Sequence, residues 1–304
     1  MMEDPDDKKD AILITGPTAS GKSAIALAFA RRTGGVVINA DSMQVYDTLQ
    51  VVTARPDDAE MQGVDHRLYG HVPASRPYST GEWLRDVTVL LEELRDVGRL
   101  PVIVGGTGLY FKALTGGLSD MPAIPADIRE RYRTRLLQEG PEALYQCLIE
   151  RDPRTAEKLQ ARDGQRIVRA LEILEATGSS IRELQAKTGP CLIDPDRAEK
   201  LVVLPDRATL YGRIDRRFSV MMDSGAIDEV KALLAMQLSP DLPAMRAIGV
   251  SQIQAMLRGE VSREEAVVSA ATATRHYAKR QMTWFRNQMD DSWRRVDPAS
   301  ISLD

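Results

Sequence analysis

The chain has 304 residues, a formal net charge of −4 at pH 7, 43% hydrophobic residues and 28% charged residues. This composition is that of a globular protein and excludes an intrinsically disordered chain; the length suits one large α/β domain, or a core domain that carries a smaller one. No stretch approaches the roughly 20 apolar residues of a membrane span, and the acidic first ten residues do not read as a secretion signal, so we expect a cytoplasmic protein with no membrane partner.

The first third of the chain alternates between strands and helices. Short apolar runs predict strands, and amphipathic spacing that stops at glycine predicts helices. The predicted strands are 11–15, 36–39 and 101–104, and the predicted helices between them are 23–32 and 80–96. This alternation indicates a parallel, doubly wound sheet.

The pattern changes between about 121 and 190, where four helices are predicted and no strand. These helices cover 128–138, 141–150, 152–159 and 165–176. Strand character returns at 201–204, and the predicted helices after it are 208–224, 227–236, 249–257 and 263–287. We therefore predict an α/β fold in which a P-loop NTPase-like parallel sheet core, 1–120 and 191–304, carries an inserted all-helical domain, 121–190.

The clearest motif lies between the first strand and the first helix. It fits the pattern G-x-x-x-x-G-K-S/T, and its residues are Gly16, Pro17, Thr18, Ala19, Ser20, Gly21, Lys22 and Ser23. Backbone N–H groups and the helix N-terminus attract phosphate, Lys22 adds a full charge, and the Ser23 hydroxyl can join the shell of Mg²⁺. The motif predicts phosphate binding, but the bound group could be ATP, another nucleotide or a different diphosphate.

Two polar residues follow other strands of the predicted sheet. Asp41 comes just after the second strand and Thr107 lies in the glycine-rich turn after the third. Ligands bind at the carboxyl ends of parallel strands, so we expect both at the reactive edge. Each could instead cap a helix. Asp206 is a second candidate for the acid that faces Mg²⁺.

Charge is unevenly distributed along the chain. Between Arg129 and Arg169 ten basic residues stand against seven acidic ones. Such a local excess suits a polyanionic partner, although solvated helix faces would give the same pattern.

Six ordered segments together resemble the bacterial tRNA dimethylallyltransferase (isopentenyltransferase) family. They cover nearly the whole chain between Ala11 and Arg286: 16–23, 41–46, 104–110, 165–172, 213–218 and 274–286. The resemblance implies transfer of a dimethylallyl group from dimethylallyl diphosphate to the exocyclic amine of the adenine 3′-adjacent to the anticodon of tRNA, with release of diphosphate.

The resemblance also implies roles for particular residues. The catalytic set comprises Asp41 as general base, Thr107, Lys22 and Arg213, with Mg²⁺ at Ser23. Arg216 and Arg217 remain alternatives to Arg213, or simple helix surface. The expected contacts with the anticodon loop are Asp41, Ser42, Met43, Gln44, Thr107, Arg129, Gln165, Arg166, Ile167, Val168, Arg169 and Arg246.

The sequence departs from the family at Ile248–Ser251, where an aromatic and a basic residue are missing; Arg246 is the candidate replacement. We expect Trp284 and Phe285 to pack in the core, and we expect a monomer because no extended apolar seam is apparent. A small-molecule kinase, an adenylate isopentenyltransferase and a non-catalytic P-loop scaffold are the alternatives, of which the basic insertion disfavours the second.

Overall fold

A computed structural model describes residues 9–119 and 121–301. The chain divides into two compact units: the first contains the described residues up to Thr115 and from Leu192, and the second lies between Gly116 and Cys191. The predicted insertion, 121–190, falls inside the second unit. Within the described residues no helix combines the length and the apolar composition needed to cross a bilayer.

A six-stranded sheet forms the centre of the first unit, and every strand pair in it is parallel. Its strands are β1 Ala11–Thr15, β2 Val36–Asn39, β3 His66–Arg67, β4 Pro101–Gly105, β5 Ala198–Val203 and β6 Arg294–Val296, in the spatial order β3-β2-β4-β1-β5-β6. The predicted α/β class with a parallel sheet is confirmed. Because β1, β2 and β4 are buried on both faces, their sequences are continuous apolar runs rather than alternating ones.

The helices of the first unit cover both faces of the sheet and its edge. They are α1 Lys22–Thr33, α2 Asp58–Met61, α3 Thr80–Asp96, α4 Gly108–Gly116, α9 Arg207–Asp223, α10 Ala226–Ala235, α11 Val250–Leu257 and α12 Arg263–Gln288. The second unit consists of α5 Ala126–Arg151, α6 Pro153–Ala156, α7 Gly164–Thr177 and α8 Ile181–Gln185. Gly140 interrupts α5 with φ of 81°, which explains why the sequence predicts two helices there.

Local sequence signals fix the ends of the longer helices. Ser79 and Glu82 form a reciprocal capping box at the start of α3, and Ser262 and Glu265 form another at the start of α12. Gly34 ends α1 in the left-handed conformation, which glycine adopts at least cost.

Two elements of the sheet escaped prediction. β3 has only two residues, and β6 contains two exposed arginines, so neither has an apolar run. The predicted helix 152–159 is shorter in the structure, because α6 ends at Ala156.

Trp83 connects α3 to the carboxyl end of β2. Its Nε1–H donates to the Asn39 carbonyl oxygen at 2.9 Å, and its ring stacks on Tyr110 of α4 with centroids 4.1 Å apart. Phe285 is fully buried in the same core cluster and Trp284 packs against it, so the prediction that both pack in the core is confirmed.

Gly105 brings the end of β4 against the end of β2. A Cβ on Gly105 would lie 2.0 Å from the Ala40 carbonyl oxygen, and backbone atoms there cannot move aside cheaply. Gly212 is a matched control on α9, because a Cβ there meets nothing within 4 Å.

We expect Gly105→Ala to lower the free energy of unfolding by about 2 kcal/mol or more, because an added methyl overpacks a closed contact. Gly212→Ala should raise it by about 0.5–1 kcal/mol, because alanine has the higher helix propensity. Urea denaturation of both variants measures the two changes. Equal stability of the two variants would contradict the close approach at Gly105.

Candidate active site

The phosphate loop lies between β1 and α1 and has a strained backbone. Ala19 and Gly21 take positive φ angles of 64° and 91°. A Cβ on Gly16 would lie 2.5 Å from the Val203 carbonyl oxygen of β5, so the loop passes close to the neighbouring strand. No side chain caps the N-terminus of α1. The first N–H groups of this 12-residue helix are therefore available to an anion.

Gln281 of α12 holds the phosphate loop and the glycine turn together. Its Oε1 accepts a hydrogen bond from the Thr18 N–H at 3.0 Å, and its Nε2–H donates to the Gly106 carbonyl oxygen at 2.9 Å. A Cβ on Gly106 would lie 2.3 Å from Gln281 Nε2, so only glycine allows the amide to reach this turn. The buried amide was not among the predicted site residues. Its signal in the sequence is a polar residue on the face of α12 that buries Ala278 and Phe285.

Asp41 lies at the end of β2 in a tight side-chain turn. Its N–H donates to Asn39 Oδ1 at 2.9 Å, and its own Oδ1 accepts the Met43 N–H at 2.9 Å. Asp41 Oδ2 lies 3.4 Å from the position of a Cβ on Gly106, so this oxygen faces the glycine turn. No helix begins between Asp41 and Asp57, all of which the structure describes, and the helix-cap interpretation of Asp41 is wrong.

Thr107 connects the turn after β4 to the loop after β2. Its Oγ1 accepts the Ser42 N–H at 2.9 Å and donates to Ser42 Oγ at 3.3 Å, while its own N–H donates to the Ala40 carbonyl oxygen. The sheet therefore brings Asp41, Ser42 and Thr107 together at one edge.

The arginines of α9 differ in their surroundings. Arg217 Nη2–H donates to Thr18 Oγ1 at 2.7 Å, and Arg213 Nη1–H donates to the Ser20 carbonyl oxygen at 3.3 Å. Arg216 is exposed, and among the described residues its hydrogen bond goes to the Gly212 carbonyl oxygen of its own helix. The interpretation of Arg217 as helix surface is wrong, because this side chain contacts the phosphate loop; that interpretation is correct for Arg216.

Two adjoining cavities open at the carboxyl edge of the sheet. The phosphate cavity, about 510 Å³, is lined by Lys22, Ser23 and Arg213 among others, and Asp206 does not line it. Asp206 instead caps α9 by accepting the Thr209 N–H, so it is not the acid facing this cavity. Any Mg²⁺ held here would meet the Ser23 hydroxyl, and two carboxylates line the cavity, those of Asp41 and Glu60.

The apolar cavity, about 320 Å³, lies beside the phosphate cavity. Its apolar walls are Met43, Val52, Ile214, Phe218, Met221, Ala247 and Ile248, and polar residues that include Arg217, Arg246 and Arg280 line the rest. Thr18, Asp41, Thr53 and Arg217 line both cavities. A ligand with an anionic end and a small apolar end therefore fits across the two, with Asp41 at the junction.

The electrostatics of the site centre on Asp41. Burial lowers the pKa of Lys22 to about 8; the Asp41 carboxylate opposes this shift and Arg217 adds to it. Burial also lowers the pKa of Arg217, against the attraction of Asp41. Burial raises the pKa of Tyr277, and the negative charge of Asp41 raises it further. Asp41 and Arg217 line both cavities, and the charge of Asp41 acts on Lys22 in one cavity and on Tyr277 in the other.

The remaining predicted residues of the first unit have internal partners. The Gln44 side chain donates hydrogen bonds from Nε2 to the backbone carbonyl oxygens of Thr53 and Ala54. It therefore bridges two parts of the loop to which it belongs. Arg246 lines the apolar cavity and pairs with Asp241. The departing segment at Ile248–Ser251 packs against that cavity, since a Cβ on Gly249 would lie 2.8 Å from Val52 Cγ1.

Three residues of α12 that line the apolar cavity, Thr274, Tyr277 and Arg280, escaped prediction as site residues. Tyr277 and Arg280 stand one helical turn apart, with the Arg280 guanidinium 5.8 Å from the Tyr277 ring centroid. Their spacing of three residues on one helix face is the signal that could have found them.

The second unit holds a basic pocket of about 500 Å³. Its charged and amide lining residues are Lys158, Gln165, Arg166, Arg169, Arg182 and Gln185. Ile167 and Val168 are buried in the core of this unit, so their side chains do not line the pocket; the predicted contact of this segment with tRNA stays a prediction. Arg129 is exposed on α5 and does not line the pocket.

A sequence model of the family described as "IPP transferase" matches residues 44–288. A protein of Agrobacterium fabrum named tRNA dimethylallyltransferase is 66% identical over 298 residues, which cover 98% of this chain and 100% of that protein. A protein of Allorhizobium ampelinum with the same name is 66% identical, with 99% of each chain covered.

Solved structures are similar as well. The tRNA isopentenylpyrophosphate transferase of Bacillus halodurans is 34% identical, with a TM-score of 0.67, over 96% of this chain and 92% of that one. A eukaryotic dimethylallyltransferase described as acting on tRNA is 27% identical, with a TM-score of 0.81, over 95% of this chain and 74% of that one. Because the family model matches most of the chain and the relatives at 66% identity match over almost their whole length, the chain belongs to the IPP transferase family, the family of the tRNA dimethylallyltransferases.

Proposed function

We propose that the protein transfers the dimethylallyl group of dimethylallyl diphosphate to the exocyclic amine of the adenine 3′-adjacent to the anticodon of tRNA. The observation that carries this proposal is the pair of adjoining cavities that share Asp41. The phosphate loop, Lys22 and Arg217 suit the diphosphate, and the apolar cavity suits a five-carbon group.

The chemistry follows from the positions of the charges. The amine nitrogen attacks C1 of the dimethylallyl group, the bond from C1 to the diphosphate oxygen breaks, and diphosphate leaves with both electrons. Adenine amines are poor nucleophiles, so a base that takes the amine proton lowers the barrier. Asp41 Oδ2 faces the glycine turn and suits this role, while its Oδ1 is occupied by the Met43 N–H.

The leaving diphosphate needs compensating positive charge. Lys22, Arg213 and Arg217 line the phosphate cavity and supply it. Mg²⁺ fits the Ser23 hydroxyl and would add charge to the same oxygens. We assign Arg217 together with Arg213 to the diphosphate, because both contact the phosphate loop.

The adenine must leave its stack before its amine can react. Single-stranded loops are the cheapest place for this step, which favours the anticodon loop as substrate. We assign the basic pocket of the second unit to the RNA backbone, since four of its lining residues are cationic. Cytoplasmic location and a monomeric state are parts of the same proposal.

The direct test is incubation of the protein with dimethylallyl diphosphate, Mg²⁺ and unmodified tRNA. Mass spectrometry should detect a five-carbon gain on the adenine next to the anticodon. Phosphoryl transfer from ATP to a small molecule, without any gain on tRNA, would instead support a kinase.

Asp41→Asn should lower turnover on the order of 10²-fold or more, because the amide cannot accept the amine proton. Asp206→Asn is the matched control, since Asp206 caps α9 and lines neither cavity. Single-turnover rates at saturating substrates give the comparison. Full activity of the Asp41 variant would remove this residue from the base role.

Lys22 gives a pH-dependent prediction. Because its pKa in the free protein is lowered to about 8, the ammonium that attracts diphosphate is lost above that pH. The Kd for dimethylallyl diphosphate should be flat below pH 8 and should rise by up to about tenfold per pH unit above it, until bound diphosphate restores the proton.

Lys22→Arg is the control, because a guanidinium stays protonated throughout this range. The ratio of the wild-type Kd to the variant Kd, measured calorimetrically, removes the ionisation of the ligand itself. A ratio that does not change between pH 7 and pH 9.5 would contradict the lowered pKa.

Arg166→Gln should raise the KM for tRNA and leave the KM for dimethylallyl diphosphate unchanged, because Arg166 lines the basic pocket. Loss of one phosphate contact should also reduce the salt slope of tRNA binding by about 1. Arg162→Gln is the control, since Arg162 is exposed in the same unit and does not line the pocket. Equal effects of the two variants would mean that tRNA responds to the net charge of this unit and not to the basic pocket.

A further inference from the structure

Glu229 of α10 binds three consecutive backbone N–H groups of the loop that follows β2. Its Oε1 accepts the N–H groups of Gln50 and Val51, the latter at 3.1 Å, and its Oε2 accepts the Val52 N–H at 2.8 Å. Burial raises the pKa of this carboxyl, and the three N–H groups oppose the rise. Backbone N–H groups in an irregular loop lack the carbonyl partners of a helix or a sheet. The Glu229 carboxylate accepts their hydrogen bonds instead.

Side chains also satisfy backbone carbonyl oxygens of the same loop. Gln44 Nε2 donates to the carbonyl oxygens of Thr53 and Ala54, and Thr53 Oγ1 donates to the Leu49 carbonyl oxygen at 2.8 Å. Gln44 and Thr53 belong to the loop itself. Glu229 is different, because it reaches the loop from another element.

The residues that Glu229 holds form part of the reaction cavity. Val52 lines the apolar cavity, and Thr53 lines both cavities. Val52 also packs where Gly249 meets Phe218, since a Cβ on Gly249 would lie 2.8 Å from Val52 Cγ1 and 3.0 Å from Phe218 Cε2. A shift of the backbone at 50–52 would therefore widen the apolar cavity.

We propose that Glu229 is a positioning residue for the transfer reaction: it fixes the backbone of Gln50–Val52 and thereby the wall against which the apolar group of the donor lies. The inference rests on the proposed function, because it assigns the apolar cavity to the five-carbon group. A wall that moves by about 1 Å misplaces C1 relative to the attacking nitrogen, which costs on the order of 10²-fold in rate.

Glu229→Gln tests the proposal with the smallest change of shape. The carboxamide keeps one acceptor oxygen and turns an NH₂ group towards backbone N–H groups that also donate. We expect kcat at saturating substrates to fall about 10- to 100-fold, and the KM for tRNA to stay unchanged. Asp228→Asn is the matched control, because the neighbouring Asp228 is exposed and pairs only with Lys231 among the described residues.

A purely structural role would predict a different result. Val230→Ala removes buried volume from the same helix without touching the tether, and thermal unfolding shows how far each variant is destabilised. At a temperature well below both melting points, Val230→Ala should keep the wild-type kcat. A kcat that falls equally in the Glu229 and Val230 variants would overturn the proposal.

Donor length supplies a second readout. A displaced wall should lower the ratio of kcat/KM for dimethylallyl diphosphate to that for geranyl diphosphate by about tenfold in Glu229→Gln. Val52→Ala, which trims the wall and leaves the tether intact, should lower the same ratio if Glu229→Gln does not fold. An unchanged ratio in the folded variants overturns the inference, whereas a wild-type protein that prenylates no tRNA overturns the proposed function instead.

Discussion

One buried amide holds together the two loops that form the reaction site. Gln281 uses its oxygen for the phosphate loop at Thr18 and its NH₂ group for the glycine turn at Gly106. The bond to Gly106 is buried and the bond to Thr18 is partly buried, so losing the first would leave a buried polar group without a partner. The relative position of the phosphate loop and the turn that carries Thr107 therefore depends on a helix more than 170 residues further along the chain.

The charges of the site make sense only when a substrate is considered. Asp41, Lys22 and Arg217 line adjoining cavities, and burial lowers the pKa of both cations. A dianionic ligand would offset this cost of burying two cations. The single carboxylate of Asp41 cannot pair with both cations, whereas a dianion can. The free site is thus electrostatically incomplete, and a diphosphate completes it.

Much of this arrangement could be predicted from the sequence, and the limits are physical. Phosphate-loop residues follow a fixed spacing, and Asp41 and Thr107 follow apolar strands, so the edge at which they meet was predictable. The N-cap role of Asp206 was not, since acids that follow strands look alike in a sequence. The sequence offered helix surface for both Arg216 and Arg217 and could not tell which of the two it fitted. Arg217, Gln281, Tyr277 and Glu229 act across contacts that are distant along the chain, and only the fold reveals them. Buried Ile167 and Val168 were assigned to RNA because a motif gives a segment without saying which side faces out.

The hydroxyl pair of Thr107 and Ser42 has a consequence for how an acceptor is received. Thr107 has one hydroxyl hydrogen, and in this structure it points to Ser42 Oγ. A nucleobase that accepts a hydrogen bond from this hydroxyl would replace Ser42 Oγ as the acceptor. Thr107 Oγ1 would still accept the hydrogen bond from the Ser42 N–H. Ser42 also lines the apolar cavity, where its released oxygen can turn to the ligand. On the proposed function, docking of the nucleobase would therefore need only the rotation of two hydroxyl groups, and the backbone hydrogen bonds between the ends of β2 and β4 would stay in place.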